Sequence, residues 1–359
     1  MRSPAFIAQR VARLLPALAV AFVLAATGRA DASEAAAPSR QLSFRADSTF
    51  TIVQFTDMHL SAFEPGRTEM RTLDLVGRII DAEKPDLIVL TGDICRMVAA
   101  PDSIRSWRLL ADLLDDKGVP WAFVHGNHDS ELSGYARIDS FLATTRHCLY
   151  EPGQPGVSTH GTYVLPIYRH RGQEIGALVW CLDSGTGRGN PRVREAQAEE
   201  QVAWFRAEAD RLMAGDDGTI TGLALFHIPL REYQTAWDTQ RCIGHKLEGI
   251  SPQRAGGLYA ALQEHGRVVA TFCGHMHGND YEGTLDGVSL CFGRVTGFGA
   301  GRAKSLQRGG RVIKLKEGVR RYTSTIRQTD GTIADQPVHE PEPVQQPEPT
   351  SAEPAPAGP

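Results

Sequence analysis

The sequence is poor in the features that mark nucleic-acid-binding, zinc-ribbon and multispan membrane proteins. Its 38 Lys and Arg residues are outnumbered by 42 Asp and Glu residues, so nothing indicates a basic surface for a nucleic-acid partner. None of its six cysteines forms a C-x-x-C pair, which argues against a structural zinc site. The composition is that of an ordinary globular protein, 42% hydrophobic and 22% charged, with enough apolar residues to form a hydrophobic core.

The first 32 residues have the layout of a secretory signal peptide. Three arginines precede an uncharged apolar stretch, Leu14–Ala26, and Ala30 and Ala32 then offer small residues at the −3 and −1 positions of a cleavage site. The stretch is shorter than the roughly 20 residues that span a bilayer, and no later run is long enough. The sequence therefore predicts a secreted or periplasmic protein with no transmembrane segment after cleavage. An uncleaved N-terminal anchor is the alternative.

The C-terminal residues 337–359 have the composition of a disordered tail. Eight of these 23 residues are Pro, and they alternate with four Glu residues. Such a segment buries too little apolar surface to offset the entropy of ordering it. We expect a solvated, acidic tail, which is either a spacer or an inert end.

Between these ends, residues 45–330 predict a single α/β domain. Short apolar runs such as Phe50–Phe55 and Leu87–Leu90 read as strands, and they alternate with segments whose apolar residues recur at helical spacing. Ser251 and Pro252 resemble a helix N-cap followed by Pro at the first helical position. This alternation is typical of a protein with a central sheet.

Five of the predicted strands share one feature, which is that polar, metal-binding residues follow each of them. The carboxyl ends of strands in an open α/β sheet meet at one edge, where ligands bind, so these residues are expected to form one site. The residues concerned are Asp57, His59, Asp93, Asn127, His128, His227, His275 and His277.

The residue types favour two metal ions at this edge. Two carboxylates, one amide and at least four imidazoles are too many ligands for one tetrahedral ion. Oxygen and nitrogen donors without a thiolate suit zinc, manganese or iron, whereas calcium rarely takes so many imidazoles. Each short motif alone is weak, because a single Asp or His after a strand is usually a turn residue. Their joint occurrence is what indicates a site.

The series Asp-x-His, Gly-Asp, Gly-Asn-His-Asp, His and Gly-His-x-His resembles the calcineurin-like metallophosphoesterase superfamily, and in its later motifs the purple-acid-phosphatase-like clade. The resemblance implies a four-layer sandwich of two mixed β-sheets flanked by helices, with a binuclear metal centre. It implies that His128 is a catalytic residue that binds no metal. By motif, Asp57, His59 and His277 would hold the first ion, Asn127, His227 and His275 the second, and Asp93 would bridge them.

One position departs from the true purple acid phosphatases. Those enzymes carry a Tyr ligand to iron three residues after the bridging Asp, and Arg96 stands there in this chain. The chain therefore lacks the tyrosine ligand of a coloured iron–tyrosinate centre, whereas it keeps the ligands implied for a binuclear hydrolase.

The function predicted from this resemblance is hydrolysis of phosphate monoesters by a metal-bound hydroxide, with two divalent ions as cofactors. A phosphodiesterase with the same centre is the alternative, and the region around Trp237 and residues 238–250 would separate the two. A barrel amidohydrolase is less favoured, because such enzymes usually carry His-x-His after the first strand, where this chain has Asp-x-His. A non-catalytic binding protein is less favoured, because no ligand of the set is missing. Asp129 is expected either to orient an imidazole or to cap a helix, and Gly297–Gly301 to form a tight loop beside the site. The oligomeric state is left open.

Overall fold

The computed structural model describes residues 41–61, 66–96, 104–186, 189–252, 257–264, 266–301 and 305–342. The predicted signal peptide and residues 343–359 of the predicted tail lie outside these ranges. Among the helices of the described ranges, none has the length and apolar character needed to cross a membrane.

Strands and helices alternate along the first part of the described chain, and strands dominate near its end. In chain order they are β1 (Leu42–Ser43), β2 (Thr49–Phe55), α1 (Arg67–Glu83), β3 (Leu87–Leu90), α2 (Arg105–Lys117), β4 (Trp121–Phe123), α3 (Ser130–Ser133), α4 (Tyr135–Leu142), β5 (Tyr163–Tyr168), β6 (Ile175–Cys181), α5 (Pro191–Leu212), β7 (Thr221–Leu225), α6 (Glu232–Thr239), β8 (Cys242–Ile243), α7 (Leu258–Glu264), β9 (Val268–Cys273), β10 (Glu282–Leu285), β11 (Val288–Phe292), β12 (Gly309–Lys316), β13 (Val319–Gln328) and β14 (Val338–His339).

The smaller sheet has five strands in the order β13-β12-β2-β3-β4. β2, β3 and β4 run parallel, and β12 joins β2 antiparallel. All four residues of β3 are buried, as expected for a central parallel strand that is covered on both faces. α1 and α2 bury apolar residues at helical spacing, including Val76 and Leu110, against one of these faces.

The larger sheet has nine strands in the order β1-β5-β6-β7-β9-β11-β10-β8-β14. Its centre, β6, β7, β9 and β11, is parallel, whereas β10, β8 and β14 continue it antiparallel. Both sheets are therefore mixed, and the carboxyl ends of the parallel strands in each sheet lead into polar loops.

The two sheets pack face to face over a shared apolar layer. Ile52 and Val89 of the smaller sheet lie in one buried cluster with Val179, Leu223 and Phe272 of the larger sheet. A second cluster joins the smaller sheet to α1 and α2, and a third joins the larger sheet to α5, α6 and α7. The two mixed sheets and the helices on their outer faces form a four-layer sandwich, which confirms the predicted fold class.

Two boundaries differ from the sequence prediction. The first residues of the predicted tail are ordered, because Val338 and His339 form β14 and pair antiparallel with β8. The helix predicted to begin at Pro252, after an N-cap at Ser251, begins at Leu258, directly after Gly257. Gly257 has a φ of 83°, which a right-handed helix cannot contain, so it separates the predicted start from the observed one.

Candidate metal centre

All eight predicted side chains lie at one edge of the sandwich, where five parallel strands end. β2, β3 and β4 of the smaller sheet and β7 and β9 of the larger sheet each lead into a loop that carries part of the set. The residues come from positions spread over more than 200 residues of sequence, and the pairing of the strands brings them together.

The first donor group consists of Asp57, His59 and His277, which offer ligand atoms within 4.8 Å of one another. The Nε2 atoms of His59 and His277 lie 3.1 Å apart, and Nε2 of His277 lies 3.3 Å from Oδ1 of Asp57. Nδ1 of His277 lies 2.9 Å from the carbonyl oxygen of Gly301. Donation to that carbonyl keeps the proton on Nδ1 and leaves the Nε2 lone pair for an ion.

The second donor group consists of Asp93, His227 and His275. Nε2 of His227 lies 3.3 Å from Oδ2 of Asp93, 3.3 Å from Nδ1 of His275 and 3.2 Å from Oδ1 of Asn127. Nδ1 of His227 lies 2.8 Å from the carbonyl oxygen of Thr91. A backbone carbonyl oxygen therefore fixes the tautomer of one histidine in each group, His277 in the first and His227 in the second.

Asp93, a member of the second group, also faces the first group. Its Oδ2 atom is 3.6 Å from Nε2 of His59 in the first group and 3.3 Å from Nε2 of His227 in the second. Its Oδ1 atom accepts a hydrogen bond of 2.9 Å from the backbone N–H of His128. This position fits the prediction that Asp93 bridges two ions.

The backbone is strained at four of the donors. Asp57, His59, Asp93 and His275 have φ values of 51°, 47°, 53° and 72°, in the left-handed region that residues with a Cβ rarely adopt. Such strain persists only where surrounding bonds enforce it, and it concentrates at functional sites. Here the N–H groups of Asp57 and His59 bond to the carbonyls of Gly92 and Asp93, which locks the two donor loops together.

Burial keeps two imidazoles of the centre neutral. It lowers the pKa of His59 to about 4 and the pKa of His275 to about 4, although nearby Asp93 and Asp57 act in the opposite direction. A neutral imidazole can give its lone pair to a metal ion, whereas a protonated one cannot. These two histidines are therefore in the ligating form at neutral pH.

His227 and Asp93 form a close, fully buried pair of opposite charge tendency in the centre. Burial opposes charge on both side chains, but their mutual attraction outweighs it, raising the pKa of His227 to about 10 and holding the pKa of Asp93 well below its usual range. His227 is fully buried between the carboxylate of Asp93 and the amide oxygen of Asn127, and this position stabilises positive charge. A divalent cation would take the place of that proton, so the residues fit the implied metal pair.

His128 lies beside the donor groups without joining them. Its ring centroid is 5.7 Å from that of His59, and its Nδ1 atom is 2.9 Å from Oε2 of Glu131. The carboxylate fixes the ring in one orientation. The sequence analysis missed Glu131, which lies in α3. Its spacing of three residues from His128 could have revealed it, because side chains at that spacing lie close together on a helical turn.

Asp129 has a different role from either alternative considered for it. Its two carboxylate oxygens accept hydrogen bonds of 2.7–3.2 Å from the backbone N–H groups of Asp93, Ile94, Cys95 and Gly126. It makes no side-chain bond to cap α3. Burial, with a contribution from Asp93, raises the pKa of Asp129 to about 7, which the N–H donors partly oppose. Asp129 thus shapes the loop that carries the central carboxylate.

The Gly297–Gly301 segment is a tight loop against the first donor group, as predicted. A Cβ at Gly297 would fall 1.9 Å from the carbonyl oxygen of Met58, and one at Gly299 would fall 2.6 Å from that of His59. Only glycine permits this approach. The loop also provides the Gly301 carbonyl that orients His277.

Asp183 is a buried acidic residue at the same edge that the sequence analysis did not find. It follows β6, and its carboxylate accepts hydrogen bonds from the N–H groups of His160 and Gly185 at 3.2 Å and 2.9 Å. Burial raises its pKa to about 6. The signal was present, because Asp183 follows an apolar strand as the other acidic residues do.

Three residues outside the donor groups have structural or exposed positions. His125 is buried among aromatic rings, 2.9 Å from the hydroxyl of Tyr150. His245 is held by the buried carboxylate of Asp280 at 3.2 Å. Arg96, at the position of the purple acid phosphatase tyrosine, is exposed.

Comparisons with known proteins agree with this geometry. A family model described as calcineurin-like phosphoesterase matches residues 50–279. The chain is 30% identical over 322 residues to "Probable inactive purple acid phosphatase 28" of Arabidopsis thaliana, which covers 80% of each protein. It is 26% identical over 283 residues to "Phosphatase DCR2" of Saccharomyces cerevisiae, covering 68% of this chain and 47% of the yeast protein.

A solved structure titled "GAP50 the anchor in the inner membrane complex of Plasmodium" has a similar fold. The TM-score is 0.50 at 13% identity, over 82% of this chain and 90% of that chain, a likeness of fold alone. The resemblance inferred from the motifs is confirmed by the family match and by the relatives. The chain belongs to the calcineurin-like phosphoesterase family, and it is a metal-dependent phosphoesterase.

Proposed function

We propose that this protein is a secreted or periplasmic phosphatase that hydrolyses phosphate monoesters at a two-metal centre. The observation that carries the proposal is the pair of donor groups on either side of Asp93, with His128 beside them. The ligand assignment is the one predicted from sequence, with Asp57, His59 and His277 on one side. The other side is formed by Asn127, His227 and His275.

A bound metal pair would supply positive charge for a phosphate group and acidify a water molecule. The protein's own contribution is to hold the donors before the ions arrive. The carbonyls of Thr91 and Gly301 fix two imidazole tautomers, and the carboxylate of Asp129 fixes the loop around Asp93. Preorganised donors avoid the cost of rearranging them during catalysis.

His128 is proposed to protonate the leaving alkoxide. Its Nδ1 atom faces Glu131 at 2.9 Å, which leaves Nε2 as the atom that can deliver a proton. A histidine suits this task because its ordinary pKa lies near neutrality. Its backbone N–H bonds to Asp93, so the loop that carries it is tied to the centre of the site.

The names of some relatives raise the question of activity. The plant proteins at 30% and 28% identity are named as probable inactive phosphatases, whereas the yeast protein is named as a phosphatase. Activity of this chain is supported by its complete set of seven donors and His128, at one edge and in mutually consistent orientations.

The proposal is tested by comparing 4-nitrophenyl phosphate with bis(4-nitrophenyl) phosphate as substrates for the protein loaded with zinc, manganese or iron. We expect the monoester to be hydrolysed faster, activity to disappear with a chelator, and metal to restore it. A strong preference for the bis-ester would replace the monoesterase with the alternative phosphodiesterase. Absence of turnover of either ester with every metal would contradict the proposal.

A further inference from the structure

The chain ends its described part with a short segment that folds back onto the larger sheet. We call residues 336–340 the C-terminal strap, residues 244–248 the clasp segment, and residues 274–280 the ligand loop, which carries His275 and His277. We propose that the C-terminal strap is a positioning element for the metal centre, acting through the clasp segment on the ligand loop. This inference rests on the proposed metal centre.

The first step of the argument is how the C-terminal strap is held. Val338 and His339 pair antiparallel with β8, and the N–H of Gly244 donates to the carbonyl oxygen of Pro337 at 2.8 Å. The His339 ring stacks on Trp237, with centroids 3.8 Å apart, and its Nε2 atom donates to the Trp237 carbonyl at 2.9 Å. The strap therefore binds both to the edge strand and to α6, the helix that follows His227.

An ion pair contributes little to this attachment. Arg241 and Glu340 approach to 3.0 Å, but their side chains are 59% and 67% exposed. Exposed pairs of this kind contribute little to stability, because solvent screens them. Strand pairing and the His339 stack are therefore the main attachments of the strap. β14 has only two residues, and so short a strand needs side-chain contacts to be stable.

The second step is the close contact between the strap and the start of the clasp segment. The Gln336 side chain donates to the carbonyl oxygen of Asp280 at 3.1 Å. Gly244 has a φ of 121°, and a Cβ there would fall 2.6 Å from Cα of Tyr281 and 2.8 Å from Nε2 of Gln336. The strap, the clasp segment and the end of the ligand loop thus meet without intervening space.

The third step joins the clasp segment to the ligand loop. Asn279, which is fully buried, accepts hydrogen bonds at its Oδ1 atom from the N–H groups of Leu247 and Glu248 at 3.0 Å and 3.2 Å. In return the Glu248 carboxylate accepts the N–H of Gly278 at 2.6 Å. Gly278 directly follows His277, so the clasp segment holds the backbone beside a predicted metal ligand.

These three steps form a continuous path from the C-terminal strap to the donors. Some residues do not contact the metal ion but orient the ligands that do. Replacing them typically lowers metal affinity by 10–100-fold. His275 is in a strained conformation that must be enforced by its surroundings. Loss of the strap should therefore weaken metal binding while leaving the smaller sheet intact.

The test uses the mature chain, residues 33–359, and four variants of it. One stops after Glu342, and one stops after Asp335 and so lacks the strap. A full-length double variant carries Gln336→Ala and His339→Ala, which keeps the chain intact if the truncation fails to fold. Val338→Ala is the matched control, because its side chain belongs to the same strand and is 51% exposed.

The measurements are zinc affinity by titration calorimetry and amide hydrogen exchange. We expect the double variant and the chain that stops after Asp335 to bind zinc about 10-fold more weakly. We also expect the amides of Leu247 and Gly278 to lose protection while those of β3 keep it. The chain that stops after Glu342 and Val338→Ala should match the full-length protein in both measurements.

Unchanged zinc affinity and unchanged exchange in the double variant would overturn the inference, as would an equal loss in Val338→Ala. The outcomes also separate this inference from the proposed function. If the full-length protein binds zinc and hydrolyses phosphate esters while the double variant matches it, only the role of the strap is wrong. If the full-length protein binds no metal ion, the proposed function fails as well.

Discussion

At the scale of single residues, the carboxylate group performs three tasks in the centre: it offers a metal ligand, it holds a loop, or it orients a histidine. The carboxylates of Asp57 and Asp93 face imidazole nitrogens, the carboxylate of Asp129 faces backbone N–H groups, and that of Glu131 faces His128. Residue type alone could not separate these tasks, because all four residues are acidic. Their hydrogen-bond partners separate them.

Replacement of His128 by Ala tests the proposed proton donor. We expect kcat for a phosphate monoester to fall by about 10²-fold, the usual contribution of a general acid. Metal affinity should not change, because the imidazole lies outside the donor groups and the backbone bond from residue 128 to Asp93 remains. Steady-state kinetics and titration calorimetry on the same preparation check both expectations.

Glu131→Gln provides the graded comparison, and Glu199→Gln on the exposed face of α5 is the matched control. The first change should lower kcat by less than His128→Ala does, since the ring remains but loses its orienting charge. The control should behave as the unchanged protein. Full turnover in His128→Ala would show that this histidine does not deliver the proton.

Metal binding should release protons. In the metal-free protein the pKa of His227 is about 10, raised by Asp93 against the effect of burial, so its imidazole is protonated at pH 8. A metal ion requires the neutral ring and must displace that proton. The observed binding enthalpy at pH 8 should therefore change with the ionisation enthalpy of the buffer. An enthalpy that is the same in HEPES and Tris would contradict this expectation.

At the scale of strands, helices and loops, the site was largely predictable because it depends on a local rule. Each donor follows an apolar run, and parallel strands end at a common edge, so sequence order was enough to group the donors. β14 was not predictable, because a two-residue strand is specified by its pairing with distant β8 and by the Trp237 stack. The start of α7 was predicted wrongly, since Gly257 is in the left-handed region and the first residue of α7 is Leu258.

Gly126→Ala tests how closely two of these loops must approach. A Cβ at residue 126 would lie 2.2 Å from the backbone nitrogen of Asp93, and backbone atoms cannot move aside as a flexible side chain can. We expect metal affinity to fall by at least 10-fold, because the loop around the central carboxylate must shift.

Gly249→Ala is the matched control for this substitution. Nothing lies within 4 Å of a Cβ at that position, and its backbone is not in the left-handed region. Its metal affinity should equal that of the unchanged protein. Equal affinities in the two variants would mean that the close approach of the loops does not position Asp93.

At the scale of the whole molecule, the sandwich explains why the site has its composition. One sheet supplies Asp57, Asp93 and Asn127, and the other supplies His227 and His275. The apolar layer between the sheets fixes their separation, so the donors of both are held at one edge. The fold therefore presents the acidic donors and most of the histidines from opposite sides of the centre.

The predicted signal peptide gives an expectation for the whole chain. Expressed in a bacterium with a periplasm, the protein should be exported and cleaved after Ala32, so that the mature chain begins at Ser33. Mass spectrometry of the periplasmic fraction checks the N-terminus. A chain that keeps residues 1–32 and is recovered with the membrane would instead support the uncleaved anchor.

The most direct test of the account is anomalous diffraction from a crystal of the protein grown with manganese or zinc. We predict two peaks of anomalous density, one contacting Asp57, His59 and His277 and the other contacting Asn127, His227 and His275. Asp93 should contact both. No peak among these residues, or peaks from which their side chains point away, would contradict the account.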